Sequence, residues 1–261
     1  MVQRGLLATI LFVVVLVLAT SSHESGPPRF VGSLSDASCD DDAQRLVLLS
    51  FDDHAHLDDW VEIAPALEER GVVATFMLDR IGTYSESDWS KVQVLVAHGQ
   101  QVGLHGEHHV GAVASGLSPE AWVEEEVLPG LLLLREREIE PHVLAMPRGD
   151  STPEHEEAVL DVIPRIRLTW VAPRENVAPW SSTCDVGPVH AAVSLDESQG
   201  GVGKWLPLAL EFRENTGGIL HAYGHSTGGE GVDVDALLAL VDGSSAAGWR
   251  WVGYDALDAE A

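Results

Sequence analysis

Residues 45–53 read RLVLLSFDD, an apolar run that meets no charge between Arg45 and the paired carboxylates Asp52 and Asp53. Such a run is the pattern of a strand buried on both faces, the kind that fills parallel sheets. Leu57–Arg70 follows with Trp60, Ile63 and Leu67 at helical spacing, and Val72–Leu78 (VVATFML) is a second apolar run. Strand, amphipathic helix and strand make a βαβ unit, which lays the two strands parallel.

The alternation continues outward. Strands are expected over 101–104, 142–146, 165–171, 186–195, 218–223 and 250–254. Helices are expected over 87–98, with Ser85 and Ser87 as available caps, and over 118–138, which opens on Ser118-Pro119. Further helices are expected over 153–162, 204–215 and 232–241. Roughly seven such units define an α/β fold, a distorted (β/α) barrel of about seven strands, with an open doubly wound sheet as the alternative. Residues 43–261 read as one domain without internal repeats.

Ahead of that domain, Arg4 precedes an uncharged, mostly apolar run from Gly5 to Ala19, and small polar residues follow. This is the layout of an export signal or an N-terminal membrane anchor over residues 1–22. Residues 23–42, with Pro27 and Pro28, read as a polar linker. The expected location is outside the cytoplasm, secreted or tethered to the outer face of the membrane. Cys39 and Cys184 both fall in the exported part, where a disulfide persists and would close a long loop. The alternative is two unpaired thiols. Neither has the neighbouring cysteine of a thiolate zinc site.

Lys and Arg total 15 against 41 Asp and Glu, a formal charge of −26. A surface of that sign repels the phosphate backbone, so nucleic acid is excluded as a partner. With 45% apolar residues and dispersed acids, the chain is not a disordered acidic tail either. The acid surplus reads as a solvated, halophilic surface, best tested by unfolding as salt is lowered; a site for cations or a basic partner is the sharper reading. At low salt the same shell repels polyanions of any kind.

Function in such folds gathers at the C-terminal ends of strands. Asp52-Asp53-His54 follows the first strand and His105-Gly106-Glu107-His108-His109 the third. Pro147-Arg148-Gly149-Asp150 follows the fourth, and His221 and His225 stand on a late strand. His105 and His109, four apart, face one way on a helical turn and suit one metal ion. With 12 histidines that spacing also arises by chance, and His221/His225 repeats it. One of the adjacent carboxylates can complete a three-ligand site while the other stays free as a base. The competing reading, solvated acids capping the next helix, fits Asp58 and Asp59 better.

Taken in order, LSFDD (49–53), VVATFML (72–78), QVGLHGEHH (101–109), LAMPRGD (144–150) and ILHAYGHS (219–226) resemble the polysaccharide deacetylases of the NodB-homology type, carbohydrate esterase family 4. The closing helix and WRWVGYDAL resemble that family's C-terminal end. The resemblance implies Asp52 as general base, His225 as general acid, and Asp53, His105 and His109 as ligands of one divalent metal. Zinc is the expected ion, with cobalt and nickel allowed by the ligand set. Pro147 would mark the loop lining the substrate groove, with Arg148 and His221 as further substrate-binding residues; His221 also competes with His225 for the acid role. The implied fold is a distorted (β/α) barrel. The implied activity is removal of N- or O-acetyl groups from an extracellular acetylated glycan, water being activated at the metal. Alternatives are hydrolysis of a small amide or cyclic imide on the same barrel, and an inactive carbohydrate-binding barrel.

The chain departs from the family pattern in three places. His54 replaces the usual glycine after the aspartates, and with His56 reads as a loop histidine or an extension of the site. Ala145 stands where the family often has an arginine that orients the base. Arg148 is then the cation available to Asp52; if none reaches it, its carboxyl pKa lies higher and activity shifts to alkaline pH. The acid that tunes the late histidine has no clear motif, and Asp185 is the expected residue.

Overall fold

The computed structural model describes residues 44–170, 180–181, 187–204, 206–213 and 217–257. The signal or anchor, the linker, Cys39, Cys184 and Asp185 lie outside the described residues. The strands are β1 (Arg45–Asp52), β2 (Thr75–Leu78), β3 (Gln101–Leu104), β4 (Leu144–Ala145), β5 (Ile166–Thr169), β6 (Trp180–Ser181), β7 (Val189–Ser194), β8 (Gly218–Gly224) and β9 (Arg250–Val252). The helices are α1 (Leu57–Glu68), α2 (Glu86–Ala97), α3 (Ala112–Ser115), α4 (Pro119–Trp122), α5 (Leu128–Glu136), α6 (Pro153–Leu160), α7 (Leu206–Arg213) and α8 (Val234–Ala246).

Strands β1-β2-β3-β4-β5-β7-β8 pair in parallel, and β8 pairs back onto β1, closing a barrel of seven strands. The distortion has a visible source. β1 offers one edge to two partners: Leu46–Leu48 pair with β9, and only Ser50–Asp52 pair with β2. β6 adds an antiparallel pair outside β8, which the sequence pattern did not reveal.

β1 is buried along its whole length after Arg45, as its unbroken apolar run requires. Leu46 and Leu48 point into the barrel beside Met77, Val143, Ala145, Ile219 and Tyr254. Asp52 is in phase with them by the two-residue strand period, so the same alternation that builds the core aims this carboxylate at the barrel mouth. Phe51 is on the other face, stacked on Phe76 at 5.4 Å, and Trp60 of α1 packs on Phe76 in turn. The Trp60 indole N–H also donates to the His225 carbonyl at 2.8 Å, fixing α1 against the end of β8. α2 opens on a reciprocal cap between Ser85 and Asp88.

The single helix expected over 118–138 is interrupted. α4 passes into a π turn, Val123–Val127, before α5 begins. Pro129 accounts for it: proline lacks the N–H and its ring collides with the carbonyl four residues back, here that of Glu125, so the turn widens.

Beneath the mouth, His190 and His221 lie buried in the barrel with their rings stacked at 4.4 Å. Burial, reinforced by the nearby Arg165 charge, pushes the His190 pKa down to about 3. A histidine held neutral in the fold but ordinary when unfolded gives full stability above its unfolded value near 6.5. That stability is lost as pH falls from there toward 3. Denaturant unfolding at pH 7.5 and 5.0 should therefore show a loss that shrinks by about 2 kcal/mol in His190→Gln. An equal loss in both proteins would refute this.

Candidate active site

The rim loops bring the sequence-predicted residues together. Asp53 leaves β1 with φ 73°, His105 ends β3, and His109 closes the next turn with φ 57°. Asp53 Oδ1 lies 3.6 Å from His105 Nε2 and 3.4 Å from His109 Nε2, and the two Nε2 atoms are 3.2 Å apart. These three residues form a cluster whose ligand atoms fall within 4.8 Å of one another.

The cluster fits a divalent ion. Ligands at about 2.0–2.1 Å in tetrahedral geometry stand roughly 3.3 Å apart, close to the three spacings found. His105 Nδ1 donates to the Ala145 carbonyl at 2.8 Å, so its proton is on that side and Nε2 presents a lone pair. A lone pair facing a carboxylate oxygen is repulsive, and a shared cation resolves it. Desolvation and the neighbouring His105 hold the His109 pKa below its ordinary value, which favours the neutral, ligating imidazole.

Asp52 is buried, and Arg167 of β5 grips both its oxygens from inside the barrel. Burial alone would raise the Asp52 pKa, but the Arg167 guanidinium, aided by His105 and His225, holds it below the ordinary value. Asp52 Oδ2 stands 3.8 Å from His105 Nε2, beside the cluster. Arg167 thus supplies the cation that Arg148 was a candidate to supply, Arg148 takes the groove-facing place instead, and the condition for an alkaline shift is not met. Register explains the transfer: Ala145 and Arg167 are direct cross-strand partners, so the guanidinium comes from the next strand.

On the other side stands His225, past the end of β8, with Nε2 4.0 Å from Asp53 Oδ2. Its tuning acid is Asp196, which follows β7. Asp196 accepts from the His225 backbone N–H at 3.0 Å and from Nδ1 at 2.6 Å. Desolvation works against the charged ring, but the Asp196 hydrogen bond and the Asp52, Asp196 and Asp53 carboxylates hold the His225 pKa above its ordinary value.

A cleft of about 310 Å³ opens over the cluster and is walled by Arg148, Gln199, Tyr223 and His225. Two of the expected substrate-binding residues do not reach it. His221 is 1% exposed inside the barrel. It shares the His225 face, but four strand residues at about 3.3 Å each set it roughly 13 Å deeper. Pro147 is buried behind the metal loop, its ring against Gly106. Arg148, exposed and at φ 60°, does line the cleft. The pairing of Cys39 and Cys184 lies outside the described residues.

A closed seven-stranded parallel barrel with this rim is a NodB-like (β/α) barrel. The polysaccharide deacetylase family model matches residues 40–162. Among solved structures, a peptidoglycan N-acetylglucosamine deacetylase in complex with a naphthalenyl N-hydroxybenzamide aligns at 20% identity, covering 82% of this chain and 88% of its own, with TM-score 0.58. A family 4 carbohydrate esterase from Streptomyces lividans in complex with acetate aligns at 16% identity, covering 80% and 92%, with TM-score 0.51. A peptidoglycan deacetylase from Bacillus subtilis aligns at 16% identity, covering 83% and 91%, with TM-score 0.50. These likenesses establish the fold. No curated protein matches the chain in sequence.

Proposed function

We propose that the chain is a metal-dependent hydrolase that removes acetyl groups from a carbohydrate outside the cytoplasm. One observation carries the reading: an Asp52 held by Arg167 and a His225 held by Asp196 flank the same Asp53-His105-His109 cluster. A divalent ion there, zinc by preference, supplies Lewis acidity toward the acyl oxygen and makes water more acidic.

The chain's own groups do the rest. Asp52, kept ionised by Arg167, takes a proton from water. His225, kept protonated by Asp196, donates from Nε2 to the departing nitrogen or oxygen. Their environments push the two pKa values in opposite directions, base down and acid up, the separation that an acid–base pair needs. Arg148 and Tyr223 offer the cleft wall to the sugar. The family and the metal cluster support the reading.

The test is acetate release from acetylated chitooligosaccharides and acetylxylan, against ring opening of a small imide, before and after chelation and zinc restoration. Zinc-dependent acetate release is expected. Imide opening without deacetylation would overturn the substrate class, and no zinc uptake would overturn the mechanism. Asp196→Asn is expected to lower kcat by about 10–100-fold. Losing the carboxylate lowers the His225 pKa, so the alkaline limb of the rate profile should move to lower pH. An unmoved limb would remove His225 from the acid role.

A further inference from the structure

Two buried carboxylates outside the ligand cluster grip the loops that carry it. Asp79, just past β2, has a side chain only 3% exposed. Its Oδ1 accepts from the His54 backbone N–H at 2.8 Å and from His54 Nδ1 at 2.6 Å. Glu126, in the π turn, has a side chain only 4% exposed. Its Oε2 accepts from the His108 N–H at 2.9 Å, and its Oε1 lies 3.2 Å from His108 Nδ1. Its backbone carbonyl accepts from Glu107 N–H at 2.9 Å.

Asp196 treats His225 in the same way, through backbone N–H and Nδ1 together. The gripped residue is each time at the site or beside it. His54 follows Asp53, His108 precedes His109, and His225 is the acid. A bond to Nδ1 alone would orient a ring. A second bond to the N–H of the same residue fixes the chain.

The backbone at the ligands needs fixing. Asp53 and His109 both adopt positive φ, 73° and 57°, uncommon for residues with a Cβ. Such conformations persist only where surrounding contacts over-determine them. Gly106, at φ 83°, shows how closely the Glu126 carboxylate fits: a Cβ there would stand 2.7 Å from Glu126 Oε2. The carboxylate fills the space that a side chain at 106 would take.

We propose that Asp79 and Glu126 are the positioning residues of the metal cradle, Asp79 setting the Asp53 turn and Glu126 the His105–His109 loop. The proposal rests on the metal-site reading above. Neither residue touches substrate or metal; each acts through the loop it holds.

The test is zinc affinity of the full, metal-stripped chain, by competition with a chromophoric chelator, in Asp79→Leu and Glu126→Gln. Glu126 takes one bond on each oxygen, so a glutamine accepts one and faces the other donor with its own NH₂; Asp79 takes both on Oδ1, so leucine, of similar size and without an acceptor, is the variant that removes the grip. Zinc binding should weaken about 10–100-fold in each. The exposed Glu124→Gln on the same π turn should match the parent chain. A purely structural role lowers the Tm of the metal-free chain and leaves zinc affinity alone. A folded variant with unchanged affinity therefore removes that carboxylate from the role. If Glu126→Gln does not fold, Glu126→Asp carries the test, because its shorter arm keeps the charge but cannot span both His108 donors. A parent chain that takes up no zinc overturns the metal reading itself, an outcome distinct from variants that bind as the parent does.

Discussion

An Asp52→Asn enzyme is expected to keep stoichiometric zinc and lose about 10²–10⁴-fold in kcat. Asparagine has the shape of aspartate, and its amide oxygen still accepts from Arg167, but it cannot take a proton. The proposed ligand atoms belong to Asp53, His105 and His109, so the cradle is expected to survive the change. Metal content and acetate release, measured on the same preparation, decide the matter. A fully active variant would remove Asp52 from the base role. A variant that loses its zinc would make Asp52 a ligand, which its place outside the three-residue cluster and the Arg167 grip on both its oxygens argue against.

The second large effect is on stability. Arg167→Met should cost about 3–5 kcal/mol at neutral pH, because it strands a carboxylate in the barrel interior. Both partners are buried, Arg167 at 0% and Asp52 at 2% exposure. The sign of the pH dependence follows from the Asp52 shift. Its folded pKa lies below the unfolded value of 3.8, so the pair's contribution is complete above that value and lost as pH falls. The gap between parent and variant should be widest near neutrality and narrow toward acid. Urea unfolding at pH 7 and pH 2.5 measures it. A neutral-pH gap below about 1 kcal/mol would place the pair among weak surface bridges instead. Without the guanidinium the Asp52 pKa rises, so the acid limb of kcat/KM should move to higher pH. The double variant with Asp52→Asn should recover part of the stability, since no charge is then left unpaired.

How far the sequence could be read depends on how local each signal was. β1 was legible because a strand buried on both faces leaves an unbroken apolar run. That Asp52, Asp53, His105 and His109 gather at one rim was legible because they follow strand ends in short motifs. Arg167 and Asp196 were not. Arg167 is a single residue inside β5 and Asp196 one just past β7, and each meets its partner only when the fold brings together positions 115 or 29 apart. The signal available for Arg167 was register, since a residue missing at 145 can be supplied by its neighbour in the next strand. His221 was misplaced for the opposite reason: alternation fixes which face a side chain takes but says nothing of its depth along the barrel axis. Glu126 was hidden in a run of three glutamates that reads as a solvated helix face.

The widened turn at Val123–Val127 has a rotational consequence. Each residue of an α-helix advances the face by about 100°, so one residue absorbed in a wider loop offsets everything after it by roughly that angle. Trp122 ahead of the turn and Leu131 and Leu134 beyond it can therefore all be buried while Glu126, between them, still reaches the His105–His109 loop. An unbroken helix would have a single azimuth to divide between core and site. The turn gives this one two headings, which the chain uses for two separate tasks.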